Sequence, residues 1–337
     1  MEMISSLVTE MGWRALPFVM AMLLTALIPL NASALFGSKK TTEEPTAQGA
    51  PIAQNLEVKA YRGVPYTGTL RAVDNEGEAV TFALATLPAK GTVTLEGDVF
   101  VYTPEKNKAG ADSFTYTATD ESGNVSAPAT VKIKIARVSS GVDYADTYHC
   151  DCATAAVDLA EHGVFTGAKV GGEWFFEPER TVTRGEFVSM AMAAAGLEPS
   201  DVTVTGFCDD AEIPAWAKGY AAGALAAGVV YGAPTAEGMA FCADSDMTLS
   251  EAATVVNRIL KVTDVDPADF YGEEDEPVWY AQAVANLESV SIVPAGGFGA
   301  ERLSAGLSRA EAAELLSAAM TLAEARAENE SFWSRIF

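Results

Sequence analysis

The chain has 337 residues, of which 49% are hydrophobic, which is enough for sizeable cores and more than one domain usually holds. Its 46 Asp and Glu outnumber its 22 Lys and Arg, giving a formal net charge of −24 and a pI near 4.3. No basic stripe is available to neutralise phosphates, which sets nucleic acid aside as a partner.

An apolar run from Ala15 to Leu30 is followed by Asn31-Ala32-Ser33-Ala34, whose small residues suit signal-peptidase cleavage after Ala34. The run falls short of the roughly 20 residues a membrane span needs. Residues 1–34 are therefore expected to be a signal peptide, and the mature protein to be secreted with no membrane span. Glu2 and Glu10 against Arg14 make the leading segment atypical, although initiation at Met11 would leave a conventional short basic start. Residues 35–50, rich in Lys, Thr and Glu without apolar period, read as a flexible linker.

From residue 51 to 136 the apolar positions alternate, as in Val99-Phe100-Val101-Tyr102-Thr103 and Val131-Lys132-Ile133-Lys134-Ile135. Glycine and proline turns separate these runs, predicting an all-β immunoglobulin-like sandwich of about seven strands. The sequences Val73-Asp74-Asn75-Glu76-Gly77, Pro88-Ala89-Lys90-Gly91, Tyr102-Thr103-Pro104 and Gly110-Ala111-Asp112-Ser113-Phe114 resemble, in that order, the bacterial immunoglobulin-like and cadherin-like repeats of surface proteins. Some such domains hold calcium through acidic loops, which would make Asp74, Glu76, Asp112 and Asp120 its candidate ligands. The same residue types also serve simply as turn formers, and no other cofactor is expected.

The remainder is a repeat. Tyr144, Phe207 and Phe270 recur at a spacing of 63 residues, and each opens a segment closing on a similar tetrad. The tetrads begin at Thr183, Thr248 and Ser308 and end at Glu186, Glu251 and Glu311, each leading into an alanine-rich amphipathic run. Ser or Thr followed three residues later by Glu is a capping box, so these six residues are expected to start helices. The helices should bury Phe187, Met190 and Ala194, then Val255, Val256 and Ile259, then Leu315, Leu316 and Met320. Inside the boxes stand Arg184 and Arg309, where a cation faces the positive end of the helix dipole at a cost of about 0.3–1 kcal/mol. They suit an anion bound beside free helix N–H groups, or a surface ion pair with one of the many acids.

Cys208 and Cys242 both flank predicted helix starts of the second copy, and a disulfide between them is expected. Cys150 and Cys152 remain, and with His149 they also read as half of a metal site.

Aromatic-x-Asp at Tyr144–Asp146 and Phe207–Asp209, tryptophan at Trp216 and Trp279, the glycine pairs Gly163/Gly167 and Gly228/Gly232, and Phe176-Glu177-Pro178 complete the pattern. Together with the tetrads they resemble S-layer homology domains, the modules that hold proteins on bacterial cell walls. The copies cover residues 143–199, 204–264 and 268–322, and a tail follows at 323–337. The third copy has lost the acid (Phe270-Tyr271-Gly272) and its glycine pair, and Leu249 replaces the arginine of the second.

The resemblance implies an all-α pseudo-threefold module following the sandwich, and a noncatalytic anchor on a pyruvylated, anionic secondary cell-wall polysaccharide. Polymer contacts would come from Arg184, Arg309, Trp216, Trp279, Asp146 and Asp209. The tryptophans equally suit a helical core. A −24 chain repels an anionic polymer at long range, so peptidoglycan carrying polyamines is an alternative partner, and a lattice-forming S-layer subunit an alternative role. No Gly-x-Ser-x-Gly or His-Glu-x-x-His motif is present, and little sequence remains for a hydrolase domain. The apolar cluster Phe332-Trp333 and Ile336-Phe337 could dock on the repeats or fray.

Overall fold

The computed structural model describes residues 49–267, 278–293 and 300–336. The signal-peptide and cleavage expectations, nearly all of the linker, and Phe270-Tyr271-Gly272 lie outside the described residues.

The first part is the expected sandwich. Strands β1 (Ile52–Ala53), β2 (Leu56–Tyr61), β3 (Tyr66–Thr69), β4 (Ala72–Val73), β5 (Thr81–Thr86), β6 (Gly91–Glu96), β7 (Val99–Pro104), β8 (Gly110–Thr119) and β9 (Ala129–Ala136) follow one another. A four-stranded sheet of order β2-β9-β8-β5 faces a three-stranded sheet of order β3-β7-β6, while β1 and β4 form a short ribbon. The alternation read from the sequence is the reason: Val131, Ile133 and Ile135 point inward and Lys132 and Lys134 outward. They meet Phe100, Tyr102, Phe114 and Tyr116, all fully buried. The Tyr116 hydroxyl stays satisfied by donating to the carbonyls of Gln54 (2.5 Å) and Arg71 (2.8 Å).

The second part is helical. It contains α1 (Ala153–Glu161), α2 (Arg184–Ala194), α3 (Ala215–Ala226), α4 (Leu249–Leu260), α5 (Ala281–Ser289), α6 (Ala300–Ser304) and α7 (Arg309–Ile336). Small hairpins join opening to closing helices in the first two copies: β10 (Ala168–Val170) with β11 (Glu173–Phe175), and β12 (Ala233–Thr235) with β13 (Gly238–Ala240). Their alternating runs were too short to separate from loop in the sequence. Helix α7 continues through residue 323, where a separate tail was expected to begin.

Each opening helix packs on the closing helix of another copy: α3 on α2, α5 on α4 and α1 on α7. At the centre, the residues just before the three tetrads close a ring of backbone hydrogen bonds. Val182 N–H donates to the Leu307 carbonyl (2.9 Å), Leu307 N–H to Met247 (2.7 Å) and Met247 N–H to Val182 (2.9 Å). All three side chains are buried, so these polar groups sit in a dry core where pairing is obligatory.

The sandwich is seated on α1 through a carboxylate. Asp158, 4% exposed, accepts hydrogen bonds from Lys59 Nζ (2.8 Å) and Tyr61 Oη (2.6 Å) of β2 and from Ser317 Oγ (2.9 Å) of α7. Nearby, Thr154 Oγ1 donates to the Pro65 carbonyl (2.9 Å) and Thr67 Oγ1 to Asp151 (2.9 Å). Burial pushes the Asp158 carboxyl up, but the donors from Lys59, Tyr61 and Ser317 outweigh it and hold the group below the usual carboxylate range. The other copies use the same face of their opening helix to hold the chain that precedes them. Ser200 N–H donates to the Gly219 carbonyl of α3 (2.9 Å), and Val265 N–H to Asn286 Oδ1 of α5 (3.1 Å).

Candidate functional site at the seams between helical copies

All three tetrads start helices as expected. Glu186, Glu251 and Glu311 donate their N–H to Thr183, Thr248 and Ser308 Oγ at 3.3 Å, and their carboxylates accept the cap N–H at 3.1, 3.0 and 2.8 Å. The second oxygen of each glutamate takes an arginine: Arg180 on Glu186 and Arg184 on Glu251 (2.7 and 2.8 Å), and Arg302 on Glu311. Of the expected core, Phe187, Met190, Val255, Val256, Leu315, Leu316 and Met320 are buried, while Ala194 and Ile259 are partly exposed.

Asp146 and Asp209 do structural work in matching ways. Asp146 accepts from the N–H groups of Phe176 (2.9 Å) and Glu177 (2.7 Å), and Asp209 from those of Phe241 (2.8 Å) and Cys242 (2.7 Å). Each thereby pins the turn that ends a hairpin. Glu177 and Cys242 both adopt left-handed backbone, at φ 58° and 57°, which identifies them as equivalent positions. Gly167 and Gly232 serve the same turns: a Cβ there would stand 2.3 Å from the Phe175 carbonyl oxygen and 2.7 Å from that of Ala240.

Arg184 and Arg309 both enter the seam toward such a turn. Gly185 N–H donates to the Ala243 carbonyl (2.8 Å), and Ala310 N–H likewise to Pro178 (2.9 Å), so the two arginines approach Phe241-Cys242 and Phe176-Glu177 from the same side. Arg309 is 5% exposed, donates to the Phe176 carbonyl (2.5 Å) and the Glu177 carboxylate (3.0 Å), and lies 4.9 Å from the Phe165 ring centroid. Arg184 holds Glu251, lies 5.9 Å from the Phe241 ring, and keeps a buried Nε with no acceptor. Both arginines therefore hold acids, which offsets the helix-dipole penalty noted from sequence.

Trp216 and Trp279 are 54% and 65% exposed, whereas Leu287 is buried and Tyr220 partly so. Trp216 stands in the first turn of α3, with its Cη2 3.5 Å from where a Cβ on Gly185 would lie, and thus borders the Arg184 seam. Trp279 precedes α5, which packs on α4, whose first residue is the buried Leu249. The position in α1 corresponding to Trp216 follows from the turns that end α1 and α3. There, Val164 N–H bonds to the Leu159 carbonyl and Val229 N–H to that of Ala224. Counting back gives Asp151, which is engaged by Thr67 of the sandwich.

The expected Cys208–Cys242 disulfide is not formed. Cys150 is joined instead to Cys152, and Cys208 and Cys242 are free. Cys208 Sγ turns onto the hairpin, 3.5 Å from Thr235 Oγ1, while Cys242 occupies the left-handed turn. The Cα atoms of Cys150 and Cys152 are 5.1 Å apart, within bonding range, and the bond takes both sulfurs out of any metal half-site with His149.

Three of the four calcium candidates, Asp74, Asp112 and Asp120, lie in separate local networks, and Glu76 enters the first through its backbone N–H. Asp74 accepts from Glu76 and Glu78 N–H (2.9 and 3.0 Å), Asp112 from Ala89 and Lys90 N–H and Tyr102 Oη, and Asp120 from Asn124 N–H (2.7 Å). Among the described residues, no group of three or more His, Cys, Asp or Glu is placed to hold a metal ion. Among them, too, no helix is long and apolar enough to cross a membrane.

Sequence reasoning missed Glu177 as a partner for Arg309, Cys242 as its equivalent, and Asp158. The signal for Asp158 was available: an acid within the apolar run Ala155-Ala156-Val157-Asp158-Leu159-Ala160 is costly to bury without partners.

Comparison with known proteins concerns the sandwich. Residues 48–137 match the model of the bacterial cadherin-like domain, and this segment is such a domain. No curated relative matches the chain. Among solved structures, an endo-fucoidan hydrolase of glycoside hydrolase family 107 is 24% identical over 28% of this chain and 14% of its own, with a TM-score of 0.24. Fibronectin(III)-like modules of Clostridium thermocellum CbhA are 21% identical over 27% of this chain and 48% of theirs, with a TM-score of 0.20. The titin M3 domain is 14% identical over 27% of this chain and all of its own, with a TM-score of 0.17. The chain spans 14% of the hydrolase and 48% of the CbhA modules.

Proposed function

We propose that this is an exported, noncatalytic cell-surface protein whose three helical copies form a pseudo-threefold S-layer homology module that binds the bacterial cell wall. The cadherin-like domain is its spacer or contact domain. The observation carrying this reading is the buried ring through Val182, Met247 and Leu307, which gathers the three tetrads and sets Arg184 beside Trp216 at one seam. A guanidinium next to an exposed indole suits an acidic sugar, the cation meeting a carboxylate and the ring stacking on the pyranose face. The ligand in this reading is a pyruvylated secondary cell-wall polysaccharide.

Cosedimentation of the secreted chain with purified walls, before and after the polysaccharide is stripped, tests the proposal. Binding that disappears on stripping is expected, and no binding to intact walls would refute it. The net charge of −24 favours a second reading, peptidoglycan carrying polyamines, under which stripped walls would retain the protein.

A further inference from the structure

The repeat supplies an internal comparison between two arginines in equivalent seams. At Arg309 the seam contains its own carboxylate, because Glu177 in the left-handed turn reaches the guanidinium at 3.0 Å. At Arg184 the equivalent turn residue is Cys242, and no acid stands in its place. The two seams differ again at the neighbouring helix start: Trp216, exposed, borders the first, while the corresponding residue of the second is Asp151, bonded to the sandwich. In the third seam Leu249 provides no cation.

We propose that Glu177 is a built-in occupant that closes the Arg309 seam, and that Cys242 at the same place leaves the Arg184 seam open to the carboxylate of an outside ligand. Among the described residues this leaves one open carboxylate pocket, lined by Arg184, Trp216, Phe241 and Cys242. Glu251 holds one edge of Arg184 and uses its other oxygen on the Thr248 cap, so the Arg184 Nε keeps donor capacity for a further acceptor. The pocket is the seam invoked for wall binding, but its openness can be tested without the wall.

Cys242 is the reporter. Iodoacetate and iodoacetamide alkylate a thiolate by the same displacement, forming a C–S bond and expelling iodide, but only iodoacetate carries a carboxylate. In the intact secreted chain, the iodoacetate-to-iodoacetamide rate ratio should be about tenfold higher at Cys242 than at the exposed Cys208, the scale of electrostatic focusing in a cleft. Folded Arg184→Gln should erase that preference, and Glu177→Cys should create a second thiol with the same preference beside Arg309. Cys242→Glu should abolish cosedimentation with walls while preserving the thermal melt. Equal ratios at Cys242 and Cys208 in the wild-type chain, or full wall binding by folded Cys242→Glu, overturn the proposal. If the wild-type chain ignores walls yet Cys242 prefers iodoacetate, the wall reading fails and the pocket stands.

Discussion

Asp158 joins three elements, and its removal should be felt in all of them. In Asp158→Ala, Tyr61, which is buried, loses its acceptor, and Ser317 on α7 loses its own. Breaking a buried charged network by deleting one member costs about 3–5 kcal/mol. The Lys59 side chain is 41% exposed and can return to water, so the expected loss lies at the lower end, about 3 kcal/mol. Tyr61→Phe, which leaves Asp158 two donors, should cost about 1 kcal/mol. The two changes share a partner, so the double variant should lose less than the sum by about 1 kcal/mol. Residues 51–136 contain no tryptophan, so in urea unfolding tryptophan fluorescence follows the helical part while hydrogen exchange of β8 and β9 amides follows the sandwich. The wild-type chain should give coincident transitions, and Asp158→Ala should separate them. Coincident transitions with a loss below about 1 kcal/mol would show that Asp158 does not couple the two parts.

Arg309→Ala should destabilise by about 2 kcal/mol, because it removes a buried guanidinium from Glu177 and the Phe176 carbonyl, although the partly exposed Glu177 limits the cost. Thermal melts check this, and an unchanged melt would favour the sequence-based view that losing a cation at a helix start is harmless. Asp209→Ala strands the N–H groups of Phe241 and Cys242 and should cost about 2–3 kcal/mol, measurable by urea unfolding. Thr183→Ala should cost about 1 kcal/mol as a lost N-cap, with Thr183→Ser near neutral in the same assay. The folded-state pKa of Asp158 is depressed, so its stabilisation is complete above the unfolded value of about 3.9 and is lost as pH falls through the folded value. Glu161, brought down to about 2 by Ser139 and Ser140 donors despite its burial, extends that loss over about pH 4 to 2. Acid titration of the melting temperature should fall less steeply in Asp158→Asn than in the wild-type chain.

The parts legible in sequence were those whose causes are local. A capping box lies within four residues, and strand alternation within five, so Thr183–Glu186 and Val131–Ile135 could be read directly. The cysteine pairing depended on which way each sulfur leaves its turn, and nothing at Cys208 or Cys242 encodes that. The partners of Arg184 and Arg309 lie in other copies, brought near only when the ring closes. The counterpart of Trp216 in the first copy, Asp151, is displaced from the 63-residue register because the first and second copies differ in length before the helix, so the repeat spacing alone could not point to it. The seat of the sandwich on α1 required knowing that its face would be covered, which no pattern in either segment states alone.

The ring through Val182, Met247 and Leu307 also governs the order of assembly. In an open array each repeat needs only its neighbours, so folding can spread along the chain as it is synthesised and copies can be gained or lost at the ends. Here α1, made first, rests on α7, made last, and Val182 finds its acceptor only when Leu307 has left the ribosome. The helical part must therefore pay loop-closure entropy before most of its contacts form, a high contact order for a protein of helices, and should fold slowly and all at once. A fourth copy would have no place in a closed ring, and a chain cut before residue 307 would leave two of the three ring bonds unmade.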